Sequence, residues 1–259
     1  MKYDIVKVKI TEKCNRDCSF CVFHDGLNEM SEEKFRKIIN IVKNIDFDAF
    51  HINGGEPLTH PDFVLFTAIA KKMFPNKKFV LGTNGILMGK EEMTKCIANN
   101  YDEICIGCDD EHKNIDYLEK NIPKVLKYAN VLFIINSLNQ YISEEVSNRL
   151  LKLKDKYPEN IVLVRNDVHH LVSDYHVHKL PELCKQNGKN VIMIDEHGNV
   201  YRCFNSKVPD DIEFNIFDDN VLDLVNKKRD FHYKYCPFCP LYDDGKKRKG
   251  KWKWKFLQY

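Results

Sequence analysis

Apolar and polar residues follow two different periods along the first 170 residues. Short apolar or alternating runs predict six strands, at Val6–Ile10, Phe47–Ile52, Lys78–Leu81, Glu103–Gly107, Val131–Ile135 and Ile161–Val164. Apolar residues spaced three and four apart predict five helices between them, at Ser31–Val42, Asp62–Phe74, Lys90–Ala98, Asn114–Tyr128 and Glu144–Lys156. The first strand alternates Val and Ile with Lys, which indicates a half-buried or edge strand.

This alternation of strands and helices predicts an α/β fold with a parallel sheet and right-handed crossovers. Six such strands favour a partial (β/α)6 TIM-like barrel, and an open doubly wound sheet is the alternative. Reactive groups are expected at the carboxyl ends of the strands. Past residue 171 the pattern changes to loops, a hairpin at Asn190–Tyr201 and a helix near Val221–Asn226. The predicted domains are therefore 1–175, 176–245 and a tail at 246–259.

Composition narrows the functional classes. The 259 residues include 43% hydrophobic residues, but no apolar run reaches the roughly 18 residues of a membrane span and no signal peptide is visible, so we expect a cytoplasmic protein without membrane contact. The tail segment Lys246–Lys255 carries seven basic residues, which leaves residues 1–245 mildly acidic and argues against nucleic-acid binding. The alternating cations and aromatics of the tail favour a final edge strand over contact with an anionic partner.

Ten cysteines in a reducing compartment indicate metal or cluster ligation rather than disulfides. Cys14, Cys18 and Cys21 follow the first strand, and three thiolates without a nearby fourth ligand can hold an iron–sulfur cube that keeps one iron open. A zinc site or a chance grouping is the alternative. The second strand ends in a Gly-Gly-Glu-Pro turn at 54–57, where glycines permit close backbone approach and a carboxylate can meet an ammonium group.

The Cys-x3-Cys-x2-Cys spacing and the Gly-Gly-Glu-Pro turn together resemble the radical SAM superfamily, over roughly residues 4–170. The resemblance implies a 4Fe–4S cluster on the three cysteines and reductive cleavage of S-adenosylmethionine. The resulting 5′-deoxyadenosyl radical would abstract hydrogen from a substrate, with a flavodoxin- or ferredoxin-type protein as reductant. The implied cofactor-binding residues are Gly54, Gly55, Glu56, Pro57, Thr83 and Asn84.

Further strand ends add candidates. Asp109 follows the fourth strand in a stretch that resembles the family's Ser-x-Asp followed by an acid and a His, with Gly107 replacing the Ser that would contact the cofactor ribose. Asn136 and Arg165 are candidate cofactor or substrate contacts, or else structural polar residues. Cys105 is a candidate hydrogen-atom donor on the inner face of the barrel. Core packing is the alternative for Cys105, as it is for Cys96 and Cys108.

Four later cysteines form a second group, at Cys184, Cys203, Cys236 and Cys239. Their spacing around Gly198 resembles the opening of the SPASM pattern, and the absence of any later cysteine matches its shortened form, the twitch domain. That resemblance implies a second, auxiliary 4Fe–4S cluster, with structural zinc as the alternative. The expected substrate is a ribosomal peptide, or else a small aminocyclitol-like intermediate. A non-catalytic metal or electron-transfer protein is the competing class.

Overall fold

The computed structural model describes residues 2–19, 21, 26–138, 141–166, 191–201 and 212–226. Its strands are β1 (Lys2–Lys9), β2 (Asp46–Asn53), β3 (Lys78–Thr83), β4 (Glu103–Gly107), β5 (Leu132–Leu138), β6 (Ile161–Asn166), β7 (Val191–Ile194), β8 (Asn199–Tyr201) and β9 (Ile212–Asn215). Its helices are α1 (Glu32–Val42), α2 (Phe63–Met73), α3 (Glu91–Asn100), α4 (Ile115–Leu126), α5 (Glu144–Lys156) and α6 (Val221–Asn226).

The strands form one sheet in the order β6-β5-β4-β3-β2-β1-β7-β8-β9. All pairs from β6 to β7 are parallel, which confirms the predicted α/β fold with a parallel sheet. The order of β1 to β6 follows the chain without reversal, and each of α1 to α4 contacts the next helix along the chain. The helices therefore cover one face of the sheet, as in a barrel, and the doubly wound alternative is wrong.

Local sequence explains where the helices begin. Ser31 and Ser143 cap α1 and α5, because each hydroxyl accepts a hydrogen bond from the backbone N–H three residues later. Apolar residues three and four apart on α1 then pack into the core, among them the fully buried Phe35, which stacks on Phe66 of α2 at 4.2 Å between ring centroids. The α5 bounds are those predicted, and the other four helices begin or end within about two residues of the predicted positions.

The prediction for β1 was wrong. This strand is not at an edge and not half-buried, because it lies between β2 and β7 and is paired with both. Lys7 and Lys9 are only 7% and 9% exposed. They lie on the inner face of the sheet, opposite Val6 and Val8, which pack in the apolar core. These lysines make the inner face of the barrel polar at β1, whereas the alternating sequence pattern indicated that they face solvent.

The hairpin β7–β8 extends the barrel sheet at β1. Its turn is built on Asp195, whose carboxylate accepts hydrogen bonds from the backbone N–H groups of His197 and Asn199, and on Gly198 with a φ of 87°. The Tyr3 hydroxyl donates to the carbonyl of Val225 in α6 at 2.5 Å. This hydrogen bond joins β1 to α6. Among the described helices, none has the length and apolar character to cross a membrane.

Candidate active site

The three N-terminal cysteines lie on the loop between β1 and α1. The loop closes on itself where the N–H of Met30 donates to the carbonyl of Ile10 at 2.8 Å and Thr11 pairs with Glu29. The Cys21 N–H donates to the carbonyl of Cys18 at 2.8 Å. Cys18 is buried while Cys14 is exposed. The loop therefore places the three thiols at the carboxyl end of the central strand.

The three thiols lie close enough to act on one another electrostatically. Burial raises the pKa of Cys14, and burial followed by the negative charges of Cys21 and Asp109 raises that of Cys18 to about 12. Among the residues that the structure describes, no three His, Cys, Asp or Glu side chains converge as a single metal ion requires. A cluster makes no such demand, since each thiolate bonds a different iron. The three thiols act on one another electrostatically, and their ligation of one cluster stays a prediction.

The two glycines of the 54–57 turn support the cysteine loop. The Gly55 and Glu56 N–H groups donate to the carbonyls of Thr11 and Lys13, each at 2.8 Å. A β-carbon on Gly55 would lie 2.3 Å from the Glu12 carbonyl oxygen, and one on Gly54 would lie 2.5 Å from that of Thr11. Only glycine permits this approach. The turn thereby fixes the backbone that leads into Cys14.

Glu56 joins this turn to the end of β3. Its carboxylate is fully buried and accepts hydrogen bonds from the Leu58 N–H at 3.0 Å, the Thr83 hydroxyl at 2.8 Å and the Asn84 N–H at 2.6 Å. Pro57 opens a short 3₁₀ turn directly after it. Burial raises the pKa of Glu56 to about 7, although these three donors favour the charged form. A nearby cation would stabilise the charged carboxylate without any further cost of orienting it, because the three hydrogen bonds already hold it in place.

Asn84 connects the same frame to the cysteine loop. Its side-chain amide donates to the Asn15 side-chain oxygen at 2.7 Å and lies 4.0 Å from the Cys14 sulfur. Its carbonyl accepts from the Asn114 amide at 2.7 Å. Predicted cofactor-binding residues from β2 and β3 and the first cysteine therefore meet in one hydrogen-bonded unit.

Asp109 lies beside Cys18 at the carboxyl end of β4, 1% exposed. One carboxylate oxygen accepts from the Glu111 and His112 N–H groups and lies 2.8 Å from His112 Nδ1. The other oxygen is buried and has no hydrogen-bond partner among the described residues. His112 was not among the predicted site residues, although its spacing of three from Asp109 is the signal that could have identified it.

The remaining candidates occupy β4, β5 and β6. Cys105 lies on the inner face of β4, where burial raises its thiol pKa to about 11, and Lys7 of β1 acts on it electrostatically. Cys108 is fully buried. Asn136 lies in register with Gly107 of β4, and Arg165 is on β6 in register with Ser137. The four predicted ligands Cys184, Cys203, Cys236 and Cys239 and the tail at 246–259 lie outside the described residues.

The chain combines a parallel α/β barrel sheet with a cysteine loop after its first strand and a glycine-rich turn after its second. This combination defines a class of protein to which a known family corresponds. The chain belongs to the radical SAM superfamily, whose family model matches residues 8–167, more than half of the chain. This membership confirms the expectation of an enzyme that uses S-adenosylmethionine and an iron–sulfur cluster, and the competing class of electron carrier is set aside.

Curated relatives match the chain over parts of their length. A GTP 3′,8-cyclase of Heliobacterium modesticaldum is 32% identical over 89 residues, which are 32% of this chain and 27% of that protein. An S-adenosylmethionine-dependent nucleotide dehydratase of Selenomonas ruminantium is 35% identical over 85 residues, 32% of this chain and 30% of that protein. The chain thus matches less than a third of these relatives' length.

Solved structures match the fold more extensively. Native anSMEcpe with bound AdoMet and Cp18Cys peptide has a TM-score of 0.65 at 17% identity, covering 87% of this chain and 80% of that one. BtrN in complex with AdoMet and 2-DOIA has a TM-score of 0.51 at 18% identity, covering 86% of this chain and 82% of that one. At such identities the likeness shows the fold alone.

Proposed function

We propose that this protein cleaves S-adenosylmethionine reductively and uses the radical to modify a substrate held on the inner face of the barrel. The observation that carries the proposal is the hydrogen-bonded unit of the cysteine loop, Glu56 and Asn84, which joins three separate strand ends. When bound, the cluster and S-adenosylmethionine supply a 5′-deoxyadenosyl radical that abstracts a hydrogen atom. Cys14, Cys18 and Cys21 would ligate the cluster, and Glu56 would receive the ammonium group of the cofactor.

The protein's own residues hold this arrangement rigid. Gly54 and Gly55 fix the path of the cysteine loop, and Thr83 and Asn84 hold the Glu56 carboxylate. A carboxylate oriented before the ligand arrives avoids the cost of ordering at the moment of binding. Pro57 keeps the turn after Glu56 from extending the strand. Asn136 and Arg165 are proposed as additional cofactor or substrate contacts at the same end of the sheet.

Two classes of substrate are candidates. We propose a peptide as the first candidate, because the stretch from Asp109 to His112 resembles that of peptide-modifying members, and because a structure with a bound peptide shares the fold. A small molecule is the second candidate, supported by the BtrN structure with 2-DOIA, of which this chain covers 82%. The relatives named for nucleotide chemistry match 32% of this chain.

Cys105 is proposed as a hydrogen-atom donor. Its partly accessible position on the inner face distinguishes it from Cys96 and Cys108, which are buried. Burial raises its pKa to about 11, so the thiol keeps the hydrogen atom that it would donate. The S–H bond would break as a C–H bond forms on a substrate radical, and one electron and one proton would restore the thiol. An iron–sulfur or flavin protein of the flavodoxin or ferredoxin type would supply the electron.

The role of Cys105 is tested by comparing Cys105→Ala with Cys108→Ala. We expect Cys105→Ala to form 5′-deoxyadenosine at the wild-type rate without substrate, since the residue lies outside the cofactor frame. We expect the same variant to yield no product from a peptide or aminocyclitol substrate that the wild type converts. Wild-type product yields from Cys105→Ala, measured by mass spectrometry, would remove the residue from the mechanism.

We propose that a twitch domain at 176–245 of this cytoplasmic enzyme holds an auxiliary 4Fe–4S cluster. Its ligands would be Cys184, Cys203, Cys236 and Cys239.

The proposal as a whole is tested by anaerobic reconstitution and measurement of 5′-deoxyadenosine under dithionite. Replacing Cys14, Cys18 or Cys21 by Ala should abolish cleavage, because each removes one ligand of the cluster that binds the cofactor. Cys236→Ala should retain cleavage, and Cys96→Ala is the control. Wild-type cleavage in the Cys18→Ala variant would disprove the assignment.

A further inference from the structure

The turn of the β7–β8 hairpin contacts the chain on both sides of the cysteine loop. The side chain of Glu196 in this turn reaches Lys9, the last residue of β1, with 2.9 Å between Oε2 and Nζ. The backbone carbonyl of Glu196 accepts a hydrogen bond from the Lys34 ammonium of α1 at 2.9 Å. Lys9 precedes the three N-terminal cysteines and Lys34 follows them. One residue of a distant hairpin therefore touches the chain before and after the proposed cluster ligands.

Lys9 extends this contact into the loop itself. Its ammonium also lies 3.3 Å from the carboxylate of Glu12, which stands two residues before Cys14. The other Glu12 oxygen accepts the Asn28 side-chain amide at 2.7 Å, and the Glu12 N–H donates to the Asn28 carbonyl at 2.8 Å. Glu12 thus joins the outgoing and returning arms of the loop, and Lys9 joins Glu12 to the hairpin turn.

The segment before Cys14 is in this way held from both strands that neighbour β1. On the β2 side, the N–H groups of Gly55 and Glu56 donate to the backbone carbonyls of Thr11 and Lys13. On the β7 side, the contact consists of the three charged side chains of Lys9, Glu12 and Glu196.

Burial makes the interaction of these three charges strong. The Glu196 side chain is 1% exposed, that of Lys9 11% and that of Glu12 21%. Charges removed from water act more strongly on one another, and the loss of one partner leaves the others buried without compensation. The two carboxylates also lie within hydrogen-bonding reach of each other. The ammonium between them therefore offsets a repulsion that would drive the hairpin turn and the loop apart.

We propose that Lys9 and Glu196 are positioning residues for the cysteine loop, and that their ion pair holds the backbone leading to Cys14 in place before a cluster binds. The inference rests on the proposed function, since it takes this loop as the carrier of the cluster. Ligands that are ordered in advance bind a metal group without the cost of ordering them at that moment. Both residues act through Glu12 rather than on the thiols.

The first test measures the order of the loop without any cluster. Hydrogen–deuterium exchange of the iron-free full-length chain is followed by mass spectrometry in peptides that contain Glu12 and Met30, whose N–H groups close the loop. We expect about tenfold faster exchange there in Lys9→Met, and wild-type exchange in peptides from β3. The control is Lys78→Met, which removes the ion pair of another strand lysine with Glu103 at the amino end of β3.

A second substitution separates charge from packing. In the double variant Lys9→Met/Glu196→Gln, the glutamine amide can donate to the Glu12 carboxylate, so that attraction replaces repulsion. We expect this variant to recover most of the protection that Lys9→Met loses. If Lys9→Met does not fold, the comparison of Glu196→Ala with Glu196→Gln decides. Exchange should then be faster in Glu196→Ala, because a glutamine still accepts a hydrogen bond from Lys9.

The same variants are next reconstituted anaerobically with iron and sulfide. The N-terminal cluster is measured as the part of the electron paramagnetic resonance (EPR) signal that changes when S-adenosylmethionine is added. We expect severalfold less of this signal in Lys9→Met than in the wild type, and more of it in the double variant than in Lys9→Met.

Loop exchange or cluster content at the wild-type level in Lys9→Met would overturn the inference. A double variant no better than Lys9→Met would do the same, because the lysine would then only fill space, and so would equal exchange in Glu196→Ala and Glu196→Gln. A wild-type protein that takes up no iron overturns the proposed function together with this inference. A wild type that loads its cluster, with variants that do so equally well, overturns the inference alone.

Discussion

Lys7 shows how strongly the barrel interior changes the properties of one residue. It is buried on the inner face of β1, with His51 of β2 beside it in register and Cys105 of β4 near enough to act on its charge. Burial lowers its pKa to about 7, and Cys105 opposes that shift only in part. The folded protein therefore binds this proton less strongly than the unfolded chain does, so burial of the charged lysine costs stability below about pH 7.

This cost gives a pH dependence with a definite sign. The unfolded chain binds more protons than the folded one between about pH 7 and the ordinary lysine pKa near 10.5, so this residue makes stability rise with pH across that window. Lys7→Met should remove that rise, and its gain in stability over the wild type should be largest, on the order of 5 kcal/mol, at or below pH 7. Chemical denaturation from pH 6 to 10 measures it, with Lys72→Met on the exposed side of α2 as control. A constant difference between Lys7→Met and wild type across the range would contradict the account.

At the scale of elements, the strand-end turns position the site more than any single strand does. The turn at 54–57 donates two backbone hydrogen bonds to the cysteine loop, and a side chain at Gly55 would have to displace the backbone carbonyls of Glu12 and Lys13. Backbone atoms cannot rotate aside as a side chain can. A β-carbon at Gly55 should therefore displace the cysteine loop and disturb the cluster that this loop is proposed to hold.

We expect Gly55→Ala to reduce reconstituted iron severalfold while the protein stays folded, because the displaced segment leads directly into Cys14. Gly82→Ala on β3 is the matched control, because its β-carbon would lie 3.0 Å from the end of the His51 side chain and 3.2 Å from Asn53 Cβ, whereas the β-carbon at Gly55 would lie 2.3 Å from a backbone carbonyl. Iron per chain, with circular dichroism to check folding, provides the comparison. Equal iron in Gly55→Ala and Gly82→Ala would show that the turn does not control the loop.

Elements that are specified by neighbouring residues, through a cap, an apolar spacing or a short motif, could be predicted from the sequence. Ser143 and the apolar spacing after it specified the bounds of α5, and the cysteine spacing with the Gly-Gly-Glu-Pro turn identified the superfamily. The burial of β1 could not be predicted, because its second partner, β7, follows more than 180 residues later and the lysines of β1 indicated solvent. The ring of His112 over Gly107 depends likewise on a loop conformation that no periodic pattern encodes.

At the scale of the whole molecule, ion pairs bind the β7–β8 hairpin to the region before the cysteine loop. Lys9 Nζ lies 2.9 Å from the Glu196 carboxylate of the hairpin turn and 3.3 Å from that of Glu12. The Lys34 ammonium of α1 donates to the Glu196 carbonyl at 2.9 Å. Cys203, a proposed auxiliary-cluster ligand, follows β8 by two residues. The hairpin therefore connects the predicted cluster site with the part of the chain proposed to hold the second cluster.

The most direct test of the central claim isolates the N-terminal cluster. A variant with Cys184, Cys203, Cys236 and Cys239 all replaced by Ala is reconstituted anaerobically, reduced with dithionite and examined by EPR before and after addition of S-adenosylmethionine. The account predicts roughly four irons per chain, a reduced 4Fe–4S signal, and a spectrum that changes on addition of the cofactor, because one iron has no protein ligand. A variant without a cluster signal, or a cluster signal that S-adenosylmethionine leaves unchanged, would contradict it.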